Sequence, residues 1–277
     1  MANIPFMKLS GAGNDFVIID NRYNVIPTDE VNFVIKVCAR RISVGADGLL
    51  LVENSDIADF KMRYFNSDGS EVATCGNGAR CIAKFAYVNG IASKKMRFET
   101  KAGIYEAEII GNNVKVSMSD PTDVRLNFPL RLEDETDEVC FANSGVPHVV
   151  FFAEDLENTD VFNLGRETRY HDDFNPAGTN ANFVRVRDEH AMDIRTYERG
   201  VEDETLACGT GAIASAVVSA LLGKVAPPVA MHTAGGYVLT IYFNIEGNTI
   251  TNVRLEGDAR IIYSGELNQD AWDYFDC

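Results

Sequence analysis

A nonapeptide pattern with a thiol at its centre occurs twice in this chain of 277 residues. The two copies, EVATCGNGA at residues 71–79 and ETLACGTGA at residues 204–212, share the form E-x-x-x-C-G-x-G-A. Each places a cysteine, Cys75 or Cys208, at the predicted start of a helix, where backbone N–H groups can bind an anion. The positive end of the helix dipole is expected to lower the pKa of both thiols toward neutrality. Two such thiols favour a site with two matched bases.

The flanks of the two cysteines follow the same order, which predicts how the thiols are positioned. A segment with strand alternation precedes each cysteine, at residues 60–64 and 192–196. A helix-like run follows each cysteine and stops 15 residues later, at Gly90 or Gly223. The predicted order is therefore strand, polar loop, Cys-Gly and a helix of about three turns.

The residues nine positions before the thiols differ between the copies. Asn66 occupies this place in the first copy and Arg199 in the second. The predicted site is thus pseudo-symmetric, and we expect the selection of substrate to enter at these two positions.

Length and composition agree with two globular domains, because 277 residues correspond to about two domains of roughly 150 residues. The chain is 46% apolar and 24% charged, which is typical of a folded globular protein. Alternating segments at 113–118, 149–153, 237–243 and 249–255 predict that strands outnumber helices in both halves. A turn signal at residues 119–122 is the candidate boundary.

Charge and targeting signals indicate a cytoplasmic protein that binds neither nucleic acid nor a membrane. The net charge is −16, from 41 acidic and 25 basic residues, and acidic runs at 133–138 and 270–276 are interpreted as solvated surface. The N-terminus has no leader pattern, and the longest small-apolar stretch, 212–222, is 11 residues, too short for a membrane span. Six cysteines without a leader are interpreted as cytosolic thiols.

The cysteines have three other interpretations: a tight turn, a zinc site and the nucleophile of a thiol hydrolase. Cys-Gly-x-Gly-Ala could be only a tight turn, although two copies with matched flanks weaken that interpretation. Zinc sites show close Cys or His pairs that the chain lacks, so no metal is predicted. A thiol hydrolase using Cys208 and His148 leaves the other Cys-Gly unexplained. Glycines 11 and 13 do not complete a nucleotide-binding pattern. The other cysteines are predicted to be packing residues without chemistry: Cys38, Cys81, Cys140 and the terminal Cys277.

Inversion at an acidic carbon without a cofactor fits the two thiols best. One thiolate removes the α-proton of an amino acid from one face while the other thiol protonates the opposite face. The substrate carboxylate then acquires enolate-like charge, which N–H groups at two helix starts can stabilise. The expected donors are the amides of Gly76, Asn77, Gly209 and Thr210.

These residues, and motifs along the whole chain, resemble the diaminopimelate epimerase family. The matching segments are SGAGNDF (10–16), VGADG (44–48), YFNSDGSEVATCGNGAR (64–80), GVPH (145–148), GTNANF (178–183), YERG (197–200) and ACGTG (207–211). The resemblance implies interconversion of LL- and meso-2,6-diaminopimelate, a step toward lysine and peptidoglycan cross-links.

The resemblance also implies roles for individual residues. Cys75 and Cys208 would be the acid/base pair, and Glu198 would bind the amino group at the reacting centre. Residues implied to grip the substrate are Asn14, Asn66, Asn180 and Arg199, with Gly76–Asn77 and Gly209–Thr210 holding the reacting carboxylate. The Arg199 guanidinium suits a distal carboxylate.

Two positions depart from some members of the family, which carry Asn where this chain has Val146 and Gln where it has Gly48. Val146 cannot donate a side-chain hydrogen bond, so water, backbone or Asn180 would have to compensate. His148 is left open between a polar contact in the site and a structural partner, with no role in proton transfer.

The fold implied by the resemblance is α/β, with two pseudo-symmetric domains, each a curved β-sheet wrapped around a central helix. The active site is expected in the cleft between them. Domains are predicted at 1–120, joined by a returning tail at 258–277, and at 121–257. A proline or hydroxyproline racemase-type enzyme and a binding module that lacks catalysis stay as alternatives. The sequence leaves open the oligomeric state, a homodimer included, and which thiol rests as thiolate.

Overall fold

The structure is a computed structural model that describes residues 3–73, 75–133 and 136–274. Its contacts divide the chain into two compact units, Met1–Val116 with Gly257–Cys277, and Ser117–Glu256. These limits differ by a few residues from the boundaries expected at residues 120 and 257. That the two units are two epimerase-like domains stays a prediction. The terminal Cys277 lies outside the described residues.

The first unit has nine strands and two α-helices among its described residues. The strands are β1 (Ile4–Gly11), β2 (Asn14–Asp20), β3 (Gly48–Glu53), β4 (Phe60–Asn66), β5 (Glu71–Val72), β6 (Lys95–Thr100), β7 (Gly103–Ile110), β8 (Asn113–Ser117) and the returning β18 (Arg260–Leu267). The helices are α1 (Glu30–Cys38) and α2 (Gly76–Val88).

The second unit repeats this composition. Its strands are β9 (Thr122–Arg131), β10 (Thr136–Asn143), β11 (Pro147–Phe152), β12 (Asn180–Asp188), β13 (Ala191–Glu198), β14 (Asp203–Thr205), β15 (Val229–Thr233), β16 (Val238–Glu246) and β17 (Thr249–Asp258). Its helices are α3 (Val161–Arg169) and α4 (Gly209–Leu221).

Strand pairing follows the same order in both units. In the first, the order is β18-β1-β2-β3-β4-β6-β7-β8, parallel only at β2–β3 and β4–β6. In the second, the order is β9-β10-β11-β12-β13-β15-β16-β17, parallel only at β11–β12 and β13–β15. The short strands β5 and β14 pair with β4 and β13. The predicted mixed α/β fold with two pseudo-symmetric halves is confirmed.

The central helix of each unit is α2 or α4. Helix α2 contacts β1, β2, β3, β4 and β7, and α4 contacts β9 to β13, β15 and β16, so each helix is enclosed by the sheet of its own unit. Both helices end near a glycine with positive φ, +67° at Gly90 and +69° at Gly223. Only glycine adopts this conformation without strain, so the predicted stop signals are confirmed.

The predicted strands before the thiols are also confirmed. In β4, Phe60, Met62 and Tyr64 are buried, and in β13 Met192, Ile194 and Thr196 are buried. The glycine pair at 11 and 13 brackets a hairpin, because Ala12 and Gly13 both have positive φ between β1 and β2. This turn places Asn14 at the start of β2. No helix in the described part of the chain is long and apolar enough to cross a membrane.

Candidate active site

Cys75 caps the N-terminus of α2. Its backbone is extended, with φ −153° and ψ 122°, and its Sγ accepts a hydrogen bond from the Gly78 N–H at 3.5 Å. A side chain that satisfies an amide of the first helical turn is the usual way to start a helix, here with sulfur in place of oxygen. The amides of Gly76 and Asn77 precede the range of intrahelical bonding, so they can face a ligand.

Asn14 approaches the Cys75 thiol from the hairpin between β1 and β2. The Cys75 Sγ lies 3.8 Å from Asn14 Oδ1, and Asn14 Nδ2 donates to Asp47 Oδ2 at 2.7 Å. Because an aspartate oxygen can only accept this bond, Asp47 fixes which end of the amide faces the sulfur.

A network of opposite charges holds Asp47. Arg40 Nη2 contacts Asp15 at 2.6 Å and Asp47 at 2.8 Å, and Lys8 pairs with Asp15 at 2.8 Å. Burial acts to raise the pKa of Asp15, but hydrogen bonds from Arg40 and Lys8 outweigh it and lower that pKa to about 2. Asp15 is therefore charged at neutral pH, and the contacts with Arg40 and Asn14 hold the Asp47 side chain in place.

Asn66 and Asn77, both in the first unit, have different hydrogen-bond partners. Asn66 ends β4, and its Nδ2 donates to Ser70 Oγ at 3.1 Å within the following turn. Asn77 is buried in the first turn of α2, where its Oδ1 accepts from Arg80 Nη2 at 2.8 Å. The backbone N–H of Asn77, rather than its side chain, is thus the group suited to an anion, and its role at the substrate carboxylate stays a prediction.

Cys208 caps α4 in the second unit, but its surroundings differ from those of Cys75. Its Sγ is buried and lies 3.5 Å from Thr210 Oγ1. Burial and the neighbouring Glu198 carboxylate raise the pKa of Cys208 well above its usual range, against the opposing effect of Thr210 and the Gly211 N–H. The expectation that both helix-start thiols have lowered pKa values is therefore wrong for Cys208, because desolvation outweighs the helix dipole.

Glu198 ends β13 beside this thiol. Its Oε2 accepts a hydrogen bond from Thr205 Oγ1 at 3.0 Å. Burial raises the pKa of Glu198, while hydrogen bonds from Thr205 and Cys208 oppose that effect. The resemblance assigned the Glu198 carboxylate to the amino group of the substrate. The same carboxylate also accepts a hydrogen bond from the Cys208 thiol.

A buried chain of hydrogen bonds runs from β13 to Thr210. Thr196 Oγ1 donates to Asn182 Oδ1 at 3.0 Å, which orients the amide so that Asn182 Nδ2 faces His148 Nδ1 at 3.1 Å. His148 Nδ1 is then an acceptor, so Nε2–H donates to Thr210 Oγ1 at 2.9 Å. The Thr210 hydroxyl hydrogen is left to face Cys208.

His148 is neutral in this setting. Burial lowers the pKa of His148 to about 3, and the ring has no exposed surface. Of the two roles left open for His148, the structure supports that of a structural partner, which holds Thr210 against the thiol.

The side chain of Asn180 is linked to the backbone of Arg199. Asn180 Oδ1 accepts from the Arg199 N–H at 2.8 Å, and Asn180 Nδ2 donates to Pro147 O at 2.9 Å. Arg199 Nη1 donates to Ala177 O at 2.9 Å, which leaves further guanidinium donors for a ligand. Asn180 thereby positions the segment that carries Arg199.

The two departures at Gly48 and Val146 have different structural settings. A Cβ at Gly48 would lie 2.5 Å from Phe65 O and 2.6 Å from a Tyr64 ring carbon, so this backbone has no space for a side chain. Val146 is partly buried in the loop before β11, where its carbonyl accepts from the Ser144 N–H at 3.2 Å.

Three residues around the thiols were not singled out from the sequence as site residues: Asp47, Arg80 and Asn182. Asp47 and Asn182 act through partners more than 30 positions away, which no local pattern indicates. Arg80 follows the repeat directly, where the second copy has Ile213, and this single difference was a signal that sequence reasoning could have used.

The remaining described cysteines are free thiols within packed elements. Burial raises the pKa of Cys38 to about 12, and it raises the pKa values of Cys81 and Cys140 as well. No group of three or more His, Cys, Asp or Glu side chains suited to a metal ion occurs among the described residues.

Sequence comparison connects the chain to proteins of one family. A model of the diaminopimelate epimerase family matches residues 6–124 and 140–262. The chain is 46% identical to the diaminopimelate epimerase of Aquifex aeolicus, across 98% of this chain and 100% of that protein. It is 45% identical to the diaminopimelate epimerase of Archaeoglobus fulgidus, across 84% of this chain and 87% of that protein.

Solved structures with a similar fold have low sequence identity. A probable proline racemase from Agrobacterium radiobacter K84 superposes with a TM-score of 0.72 at 13% identity, over 98% of this chain and 94% of that chain. A phenazine biosynthesis protein of the PhzF family from Bacillus anthracis has a TM-score of 0.70 at 16% identity, over 97% of this chain and 100% of that chain. These likenesses support the sheet-dominated α/β fold.

Proposed function

The chain belongs to the diaminopimelate epimerase family and is an amino-acid epimerase that acts without pyridoxal phosphate; on that premise we propose that Cys75 and Cys208 are its two bases. The observation that carries this proposal is that each cysteine caps a 13-residue helix in the same strand-to-helix context of its own unit. Each therefore combines a thiol with free amides at a helix start.

The proposed reaction transfers one proton off the α-carbon and another onto it. One cysteine, as thiolate, removes the α-proton of LL-diaminopimelate, and the other, as thiol, protonates the opposite face to give meso-diaminopimelate. The Gly76, Asn77, Gly209 and Thr210 amides stabilise the negative charge that develops on the substrate carboxylate. No net proton is gained or lost, and the reverse reaction exchanges the roles of the thiols.

Polar side chains are proposed to bind the ammonium group at the reacting centre and the distal part of the substrate. Glu198 receives the ammonium group at the reacting centre, and Arg199 receives the distal carboxylate. Asn14 and Asn66 supply hydrogen bonds to the substrate. We assign Asn180 to the same group, because its side chain accepts a hydrogen bond from the backbone N–H of Arg199 and so positions that residue.

We also propose a metabolic role and a cellular compartment for the enzyme. The product serves lysine and peptidoglycan precursor synthesis, and the enzyme acts in the cytoplasm. Two-base chemistry needs both thiols reduced, which suits a reducing compartment.

Reduced protein in D₂O is expected to convert LL-diaminopimelate into meso product that carries deuterium at the inverted carbon, while early unreacted substrate keeps protium. A thiol exchanged with solvent delivers deuterium, whereas the other base receives the substrate proton. Proton NMR follows both species. L-proline and trans-4-hydroxy-L-proline serve as control substrates and should stay unchanged, because they lack a distal ammonium and carboxylate.

Two outcomes would contradict these assignments separately. A folded, reduced sample that exchanges no α-proton of diaminopimelate would overturn the proposed activity. Product that contains protium from the first turnovers would overturn the two-base assignment while leaving epimerisation intact.

We further propose that the enzyme is a homodimer through β18. This strand pairs with β1, and all seven residues from Arg260 to Glu266 are exposed, including Ile261, Ile262 and Tyr263. An antiparallel pairing of two copies about Tyr263 would place Arg260 of one copy opposite Glu266 of the other. Apolar side chains in the centre and opposite charges at the ends suit a second copy.

Replacing Ile262 by glutamate is expected to yield a monomer in sedimentation velocity, because two like charges would then lie diagonally across the centre of the interface, each opposite Ser264 of the other copy. Ile57→Glu is the matched control, since Ile57 is an exposed isoleucine of the same unit, with 64% of its surface exposed against 53% for Ile262. A wild-type monomer, or equal behaviour of the two variants, would refute the interface.

A further inference from the structure

Arg199, the residue proposed to bind the distal carboxylate, lies in the turn between β13 and β14 of the second unit. Two residues of this turn have left-handed backbones, Gly200 with φ +94° and Glu202 with φ +60°. A residue other than glycine persists in this conformation only where its surroundings hold it. The contacts of Glu202 therefore indicate what fixes the turn that carries Arg199.

The Glu202 carboxylate closes the turn and ties it to α3. Its Oε1 accepts the Gly200 N–H at 3.0 Å and also accepts from Arg169 Nε at 3.1 Å. The Tyr197 hydroxyl donates to the other oxygen, Oε2, at 3.4 Å. The backbone that carries Arg199 is thus connected through one carboxylate to Arg169.

Arg169 is the last residue of α3, and it also packs against the loop before β12. A Cβ on Gly178 would lie 2.0 Å from Arg169 Nη1 and 2.6 Å from Arg169 O, so the loop backbone lies directly on this residue. The neighbouring Ala177 O accepts from Arg199 Nη1 at 2.9 Å. Arg169 therefore also supports the loop that holds the Arg199 guanidinium.

Arg199 is held at three places in all. Asn180 Oδ1 accepts its N–H, Glu202 closes its turn, and Ala177 O accepts from its guanidinium. The last two of these depend on Arg169. The side chains of Arg169 and Glu202 are 17% and 33% exposed, so their ion pair is partly shielded from water and from salt.

The corresponding turn of the first unit, which follows Asn66, is held in another way. It packs on α1 through an apolar contact, since a Cβ on Gly69 would lie 2.8 Å from Val31 Cγ1. Within the turn, Asp68 Oδ1 accepts the Ser70 N–H at 2.9 Å. The ion pair to the outer helix thus occurs at the turn that carries the arginine.

We propose that Arg169 is a specificity-determining positioning residue, which holds the Arg199 guanidinium in place for the distal carboxylate of the substrate. This inference rests on the proposed function and extends it to α3, which carries none of the residues assigned to the substrate. Arg169 acts through Glu202 and through the loop at Gly178, without touching substrate.

The test is a double-mutant cycle of Arg169→Met and Arg199→Met on the whole chain, with steady-state kinetics on LL-diaminopimelate. Arg169→Met should raise KM by about tenfold while kcat stays within about twofold, because a contact to the distal group binds substrate and transition state alike. Arg199→Met should raise KM at least as far. In that background Arg169→Met should add no more than about twofold, since no guanidinium is left to position.

Arg166→Met is the matched control. Arg166 is an exposed arginine in the same last turn of α3, so its loss removes the same charge from the same helix end. It should leave KM unchanged. Arg169→Lys keeps the charge but lacks the planar fork, so it should recover part of the loss in KM.

Three outcomes would overturn the inference: a folded Arg169→Met protein with the wild-type KM, an equal rise in Arg166→Met, or an Arg169→Met effect that is as large in the Arg199→Met background as in the wild type. A residue that only stabilises the fold would give the last result, because independent effects multiply.

Glu202→Gln decides the question if Arg169→Met does not fold, because Glu202 is more exposed and glutamine keeps the shape of the side chain. It should raise KM by about threefold or more, and an unchanged KM would overturn the inference. A wild-type protein without turnover, or an unchanged KM in Arg199→Met, would instead overturn the proposed function and this inference with it. An effect of Arg199→Met without one of Arg169→Met overturns the inference alone.

Discussion

Alanine at either Cys75 or Cys208 is expected to abolish epimerisation, with a loss of at least about a thousandfold in kcat. Each variant keeps one base but lacks the group that completes the proton transfer on the other face, and acid–base groups of this kind contribute about 10² to 10⁴ each. Because the two thiols act in sequence on one substrate, the double variant should be little worse than either single variant. Conversion of LL-diaminopimelate, followed by NMR, is the measurement.

Cys38→Ala and Cys140→Ala are the matched controls, one in each unit. Both residues are buried thiols within α1 and β10, so their loss should reduce stability modestly while turnover per folded molecule is retained. Near-normal turnover in Cys75→Ala or Cys208→Ala, or an equal loss in the controls, would contradict the two-base assignment.

Gly211→Ala is expected to destabilise the fold by about 1 to 3 kcal/mol, the range of an overpacked core site. A Cβ at this position would lie 2.2 Å from Asn182 Oδ1. Asn182 cannot move freely, because its amide also bonds Thr196 Oγ1, His148 Nδ1 and Val149 O. Displacing it should also release Thr210 from its position beside Cys208, so epimerase activity should fall with stability.

Gly78→Ala provides the control at the equivalent position of α2. A Cβ there would meet its nearest neighbours at 3.4 to 3.6 Å, which are ordinary contacts, and alanine favours a helix by up to about 1 kcal/mol over glycine. Denaturant unfolding should therefore show unchanged or higher stability for Gly78→Ala. Equal losses in both variants would show that the contact with Asn182 is not the reason for Gly211.

Gly78 and Gly211 differ in the space available to a side chain, and the repeat does not predict this difference. Both glycines have the same place in the nonapeptide, and the sequence gives no reason to separate them. The difference arises because Asn182 from β12 contacts α4 at Gly211, whereas Leu50, Met62 and Cys75 line the space at Gly78. Steric demand is set by neighbours from elsewhere in the chain.

The sequence by itself determined the elements and the placement of the thiols. Alternation predicts β4 and β13, the glycines at 90 and 223 predict the helix ends, and the repeat predicts Cys75 and Cys208 as helix caps. These features are local, since backbone conformation and capping depend on residues a few positions apart. The family followed from the same motifs.

Only the tertiary structure decided how the two thiols differ. Helix position alone predicted equal lowering of both pKa values, but Cys208 is buried beside Glu198 while Cys75 is partly exposed and interacts with Arg80. The orienting contacts, from Asp47 to Asn14 and from Asn182 through His148 to Thr210, likewise join distant segments. Ionisation depends on desolvation and on charges within a few ångströms, and folding, rather than adjacency in the chain, sets both.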